Sequence, residues 1–286
     1  MSELLIKAQQ QGNIFNQVSA QQAGWDLLNM AALRLSRGQS YGTNVKEHEH
    51  VTVVLGGRCR ITVNGAQTFE LGRRPNVFEG MPHALYLPRR SEFLIEALSE
   101  ELEVACCWVP TDQDHPIQAV RPADSHIEIR GGGNASRQIN SILPPGFDCH
   151  RLVCVEVYTP SGNWSSYPPH KHDVHRVDEE GNVLEADLEE IYFYKLDKPD
   201  GFAYQRVYGA QRDQLVLARN HDIVLVPDGY HPVVSGPGYT TYYLNFLAGS
   251  AQSLANSDDP AHTWVKHQWG AADSRLPLVH HQMEVA

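Results

Sequence analysis

The sequence predicts an all-β protein built as two jelly-roll barrels, one in each half, with few short helices. Two observations carry this. Most of the chain consists of short β-branched or aromatic runs that end in Gly, Pro, Asn or Asp, the pattern of strands closed by turns. The halves are also faintly alike. His48-Glu49-His50 precedes the strand VTVVLGG, and VFEGMPHALYLP later sets a proline beside His83; His170-Lys171-His172 precedes EEIYFYK, and DIVLVPDGYHP later sets a proline shortly before His231. A duplicated barrel accounts for both, and evenly spaced short strands suit a sandwich or small barrel.

Taken in order, MSELLIKAQQQGN has neither a basic n-region nor an apolar h-region, so no secretory signal is expected. WDLLNMAAL, residues 25–33, spaces its apolar residues helically and is the one clear helix candidate. VTVVLGG, RCRITVNG, EFLIEAL and VACCWV supply strands of the first barrel. The Gly-rich RGGGNAS then interrupts the strand pattern; it lacks a following Lys-Ser/Thr, so it is no phosphate loop but a crossing between barrels. Domains are therefore expected at 1–128 and 129–286. RLVCVEVYTP, EEIYFYKLD, FAYQRVYG, DQLVLARN, DIVLVPDG and YTTYYLNFL supply the second barrel, and the final HHQM, residues 280–283, reads as a mobile tail.

Composition narrows the function. The 286 residues are 42% hydrophobic and 20% charged, as in soluble globular proteins, and are enough to bury a sizeable core. A net charge of −11 without a basic stripe argues against nucleic acid as a partner, and no apolar run is long enough to span a bilayer. The five cysteines are irregularly spaced with no C-x-x-C pair, so neither a zinc knuckle nor a disulfide framework is expected; Cys106 and Cys107 lie in an apolar strand as buried thiols. A cytoplasmic protein follows. Sheet edges of such barrels commonly pair, so a homo-oligomer is expected.

The chemistry concentrates in NWSSYPPHKHD, Asn163 to Asp173. Histidines one residue apart on a strand point to the same face and can reach one metal ion, although a pair of surface histidines looks the same locally. The second half resembles the cupin barrels, which hold a metal with H-x-H, a glutamate on the next strand and a third histidine after a P-x-G turn. His170 and His172, then Glu189-Glu190, then Pro227-Asp228-Gly229-Tyr230-His231 follow that order. Glu190 shares a strand face with Tyr192 and Tyr194, whereas Glu189 shares one with Ile191 and Phe193, so Glu190 is taken as the ligand. The sequence departs from a simple cupin in the insert 173–189, which reads as a polar loop; its His175, Glu179 and Glu180 read as solvated charges. The first-half EHEH, Glu47 to His50, reads as a solvated polar turn rather than a second metal site with His83.

A longer match is more specific. NWSSYPPHKHD, LEEIYFYK and VPDGYHP, together with RGGGNASRQI, EVYTPSGNWSS, VVLGG and LGRRPNVFEGMP, resemble the 5-deoxyglucuronate isomerases of bacterial inositol catabolism. The resemblance covers most of the chain. It implies a bicupin with a degenerate first barrel and one divalent metal ion in the second, held by His170, His172, Glu190 and His231. It also implies conversion of 5-deoxy-D-glucuronate to 5-dehydro-2-deoxy-D-gluconate, an aldose–ketose isomerisation. The ligand set is compatible with zinc, manganese, iron or nickel. Such a reaction needs a polarised carbonyl and a group that moves a proton between adjacent carbons; Tyr192, Tyr194, Lys171 and Asp173 are the candidates, Lys171 facing away if the strand is regular. The deoxyuronate carboxylate favours an arginine fork, for which Arg137, Arg206 and Arg130 are candidates. Because cupins host many chemistries, a metal-dependent dioxygenase or oxidoreductase and a non-enzymatic sugar-binding bicupin are the alternatives.

Overall fold

The computed structural model describes residues 4–9 and 11–283. The all-β reading is borne out: among the described residues the regular elements are strands, apart from the four-residue helix Ala20–Ala23 and three 3₁₀ turns. Among the described residues the strands pair antiparallel, and one isolated bridge, Gly133 with Ala272, is parallel. Among the described residues no helix is long and apolar enough to cross a membrane.

Two compact units result. One gathers the described residues of 9–126, the segment Gly146–Leu152 and residues 279–283. Its larger sheet runs in the order Gln118–Val120, His83–Leu87, His48–Gly56, Glu101–Pro110, Asn29–Ser36, Ile14–Val18, and its smaller in the order Ser40–Asn44, Glu92–Ala97, Arg58–Val63, Gln67–Gly72. Alternate side chains of both sheets meet in one core of Leu33, Val54, Ile61, Val63, Leu85, Phe93, Ile95 and Val104.

The other unit gathers residues 4–8, Ile127–Pro145 and Val153–Leu278. In its main sheet the central strand Val183–Leu196 lies between Ile223–Val226 and Thr241–Gly249, followed outward by Val153–Thr159, Arg137–Leu143 and Ile127–Arg130. A second sheet orders Trp164–Ser165, Val233–Ser235, Ala203–Tyr208, Asp213–Ala218. The core between them is phenol-rich, with Tyr192, Tyr194 and Tyr243 among Val155, Val207, Val224 and Val233.

Four local expectations change. Residues 25–33 do not form a helix; Asn29–Ser36 is a strand between Glu101–Pro110 and Ile14–Val18. Met30 to Leu33 are all buried, so both faces are apolar and the periodicity no longer separates helix from strand. RGGGNAS is the turn of a hairpin joining Ile127–Arg130 to Arg137–Leu143, not the crossing between units, which falls at residues 126–127. Gly131 makes that turn possible at φ +88°, where a Cβ would stand 2.1 Å from the carbonyl oxygen of Ala135. Set against the expected 1–128 and 129–286, the units also exchange short segments, because Leu5–Ile6 pairs with Ile223–Val224. The insert 173–189 is a hairpin, Asp173–Val177 against Val183–Leu196, with His175, Glu179 and Glu180 exposed on it as anticipated for solvated groups.

The first-half EHEH is not a solvated turn. It opens the strand His48–Gly56, with Glu49 fully buried and His50 nearly so. The Glu49 carboxylate accepts hydrogen bonds from the Tyr86 hydroxyl (2.8 Å) and from the backbone N–H groups of His150 (2.8 Å), Arg151 (2.7 Å) and Leu152 (2.9 Å). His50 meets Thr52 Oγ1 at 2.9 Å and stacks between Phe93 and Trp108. All five cysteines are buried and none forms a disulfide, and the C-terminal His281–Met283 forms a 3₁₀ turn; residues 284–286 lie outside the described part of the chain.

Candidate metal centre

The preceding strand ends at Ser165, the Pro168-Pro169 pair cannot donate a ladder hydrogen bond, and the chain re-enters pairing at His170–Lys171, against Ser257–Asp258. From there the side chains alternate. His170 and His172 line one cavity, whereas Lys171 turns away to ion-pair with Asp173 and with Glu185 (2.8 Å). Glu190 is delivered by the central strand, opposite Val226 on one side and Leu247 on the other, and its side chain enters the same cavity as that of Tyr192. His231 follows the Pro-Asp-Gly turn. Gly229 there has φ +83°, and a Cβ would lie 2.4 Å from the carbonyl oxygen of Tyr208.

His172, Glu190 and His231 converge, their ligand atoms lying within 4.8 Å of one another, all three buried. Glu190 Oε2 is 2.9 Å from His172 Nε2 and 3.3 Å from His231 Nε2. His170 stands beside them, its ring centroid 4.9 Å from that of His231. The outer nitrogens fix the tautomers. His172 Nδ1 donates to the carbonyl of Leu188 (3.2 Å) and His231 Nδ1 to the carbonyl of Gly229 (2.9 Å), so each presents Nε2 inward. Asp173 extends the support by accepting the Gly229 N–H at 2.9 Å, and Asn245 holds the other Glu190 oxygen by donating from Nδ2 at 2.7 Å. Asp173, a proton-transfer candidate from its place beside the histidines, instead supports the turn, and Asn245 carries no signal in the sequence that would have singled it out.

These residues fit a divalent cation. His231 Nε2 is buried with no hydrogen-bond partner, a costly state unless its lone pair is used. Burial, helped by neighbouring His172, lowers the His231 pKa to about 4 against the attraction of Glu190. Burial also holds His170 well below its ordinary value, reinforced by His231 and Arg137. For His172 burial is outweighed by the hydrogen bond and charge of Glu190, and its pKa rises. The two partners of Glu190 thus shift oppositely, because burial prevails at His231 whereas His172 also has a hydrogen bond to the carboxylate. A metal ion at that point serves all three donors at once.

Around the cluster, Arg137, Arg130, Ser166, Tyr192 and Tyr243 line the cavity. Arg137 is 6% exposed, and burial lowers its pKa, although the guanidinium remains a cation. Arg130 is held by Glu128 through two hydrogen bonds of 2.7 Å. Arg206 is not brought here: it forks onto Asp213 at 2.8 Å and stacks 4.1 Å over the Tyr208 ring on the second sheet. Tyr194 also lies outside the cavity, buried with its hydroxyl donating to Gln205 at 2.8 Å. The cavity measures about 60 Å³, room for an ion and water but far below the roughly 300–1,000 Å³ of small-molecule pockets. Binding a six-carbon acid therefore requires it to widen.

Residues 4–265, which include every group of this centre, match the KduI/IolB family. The chain belongs to that family. The chain is 37% identical over 281 residues to the 5-deoxy-glucuronate isomerase of Geobacillus kaustophilus (strain HTA426), covering 96% of this chain and 99% of that protein. It is 36% identical over 274 residues to the 5-deoxy-glucuronate isomerase of Bacillus subtilis (strain 168), covering 93% and 99%. Among solved structures, an IolB-like protein from Salmonella typhimurium LT2 superposes with a TM-score of 0.87 at 32% identity, over 92% of this chain and 99% of that one. Bacillus subtilis oxalate decarboxylase, a protein with Mn(II) centres, superposes with a TM-score of 0.59 at 12% identity, over 90% and 80%, a likeness of fold alone. The bicupin fold expected of the KduI/IolB family is thereby borne out.

Proposed function

We propose that this protein is a 5-deoxy-glucuronate isomerase that converts 5-deoxy-D-glucuronate to 5-dehydro-2-deoxy-D-gluconate, as the resemblance to isomerases of inositol catabolism implies. The observation that carries the reading is the buried His172–Glu190–His231 cluster with a buried arginine in the same cavity, in a chain alike over its whole length to relatives of that name. His170, His172, Glu190 and His231 would hold one divalent metal ion. When bound, that ion supplies Lewis-acid polarisation of a carbonyl beside a hydroxyl.

The remaining work belongs to the protein's own side chains. Isomerisation removes the proton from the carbon next to the aldehyde and returns a proton to the aldehyde carbon, through an enediol. Of the four candidates for that transfer, Tyr192 alone lines the cavity. Burial, reinforced by the charge of Glu190, keeps its pKa well above the ordinary phenol value, so it stays protonated and suits donation to a sugar oxygen rather than base catalysis. Lys171, saturated by two carboxylates, supports the insert hairpin.

Arg137 suits the carboxylate of the substrate, because a planar fork binds both oxygens and a buried cation gains from a permanent anionic partner. Arg137→Met is expected to raise KM by about 10–100-fold, the loss of one charge-assisted contact of ~1.5–3 kcal/mol, with metal content unchanged. Arg206→Met serves as the comparison and leaves KM as it was. Equal KM values in the two variants would remove Arg137 from this role.

The function itself is tested by proton NMR of 5-deoxyglucuronate with the purified protein in deuterium oxide, oxygen excluded, before and after chelation. Loss of the aldehydic form, abolished by chelation and restored by one divalent metal, is the expected result. Deuterium in the new hydroxymethyl group reports the enediol route. An unchanged substrate with metal-loaded protein defeats the isomerase reading, and oxygen uptake would then favour the oxidoreductase alternative.

A further inference from the structure

The first unit holds a second chemically distinctive cavity, of about 360 Å³, far from any role in the isomerisation described above. It is built by the segment LGRRPNVFEGMPH, which leaves the strand Gln67–Gly72 and ends at the start of the strand His83–Leu87, and by Arg121 at the end of Gln118–Val120. Those last two strands pair with Val120 opposite Ala84, which brings Arg121 alongside His83. Arg74 forms the floor. Its buried guanidinium donates to the carbonyl of Val54 from Nε (3.0 Å) and Nη2 (2.8 Å) and to that of Gly80 from Nη1 (3.2 Å). Residue 80 must be glycine for this, since a Cβ there would stand 2.8 Å from Arg74 Cβ at φ +152°.

The other two arginines are not spent on structure. Arg73 and Arg121 are exposed, and neither side chain has a hydrogen-bond or ion-pair partner among the described residues. The acidic residues at the rim are engaged elsewhere: Glu70 accepts from Arg60 at 2.9 Å and Glu79 from Asn76. His83 Nδ1 is buried in the same wall without any hydrogen-bond partner. Burial and the three arginine cations together push the His83 pKa down to about 4, so the imidazole is neutral and sits in a positive field. In a chain of net charge −11 such a field is a local construction, and an unpaired buried nitrogen costs about 1–3 kcal/mol unless a ligand meets it.

We propose that this cavity binds a small oxyanion, the carboxylate or phosphate group of a metabolite of sugar-acid size. Arg73 and Arg121 clamp the anion from two sides, and His83 completes the set with a neutral hydrogen bond. Arginine is the residue suited to both groups, because its fork matches two oxygens of either. The site lies in the barrel that contributes no metal ligand, and so occupies a surface the isomerisation does not use.

The test is isothermal titration calorimetry of the full-length, metal-loaded protein with inorganic phosphate and, separately, with D-gluconate, at fixed ionic strength. Wild type is compared with the double variant Arg73→Ala/Arg121→Ala and with Arg58→Ala, an exposed arginine outside the cavity. Saturable binding that weakens at least about 10-fold in the double variant and not in Arg58→Ala is expected, the loss of one to two charge-assisted contacts. Binding of phosphate alone assigns a phosphate ester as the ligand class, and binding of gluconate alone a sugar carboxylate. Absence of saturable binding by both anions overturns the proposal. So does binding unaltered in the double variant, which would place the anion in the metal-centre cavity. Both arginines are exposed, so the double variant is expected to fold, and an unchanged melting temperature verifies it.

Discussion

Glu190→Gln is expected to abolish stoichiometric metal binding and, with it, isomerisation. The carboxylate is the one anion among the converging donors, within 2.9 Å of His172 Nε2 and 3.3 Å of His231 Nε2. An amide of the same shape keeps the contact with Asn245 but removes the charge that makes a divalent cation favourable beside neutral imidazoles. Removing one partner from a buried charged set costs about 3–5 kcal/mol, roughly 10²–10³·⁵-fold in metal affinity. Metal content after gel filtration and calorimetric titration of the metal-free protein check this directly. Glu189→Gln is the matched control: its side chain lies on the opposite face of the same strand, and the variant should retain both metal and turnover. Asn245→Ala should fall between them, since groups that orient a ligand are worth about 10–100-fold. If Glu190→Gln retained a full complement of metal and wild-type turnover, the cluster would not be the metal centre.

How much of this was legible in the sequence depended on whether a single residue's chemistry or its surroundings decided its role. The ligands were legible because period two fixes which side His170 and His172 share, and because a carboxylate beside phenols on one strand face marks an inner wall. The Pro-Asp-Gly turn was legible for the same local reason. The region 25–33 was not: its run of small and branched apolar residues is buried on both faces, so neither period stands out and the sheet decides. Arg206, Arg137 and Arg130 look alike in sequence, and only the fold separates the one forked onto an exposed aspartate from the two that reach the cavity. Asn245 lies in YTTYYLNFL among residues that merely pack, and its role appears only once its strand is opposite Glu190's neighbour Tyr192. Non-local pairing supplied what local pattern did not.

Glu49 is the sharpest case of that rule and carries the second large expectation. Beside two histidines it reads as a solvated turn or as part of a metal motif, yet it is a buried anion whose ligands are four N–H and O–H donors of the fold. Three of these are consecutive amides at 150–152, about a hundred residues away in sequence, so the carboxylate ties a late-arriving segment onto a strand of the first unit. Glu49→Ala would leave those amides and the Tyr86 hydroxyl buried and unpaired. Each such group costs about 1–3 kcal/mol, and because they share one cavity and can relax together the total is expected near 3–5 kcal/mol rather than their sum. Against a typical stability of about 5–15 kcal/mol, that lowers the melting temperature by about 10 °C or more. Glu49→Gln should recover little, since its amide NH₂ faces donors instead of accepting from them. Hydrogen exchange localises the effect: amides 150–152 lose protection first in either variant, while Glu47→Ala, which removes the pairings of an exposed carboxylate with Arg89 and Arg90, leaves both readouts unchanged. A Glu49→Ala protein with wild-type melting and protected amides would mean that water replaces the carboxylate there without cost, and that the segment is held by its side-chain packing alone.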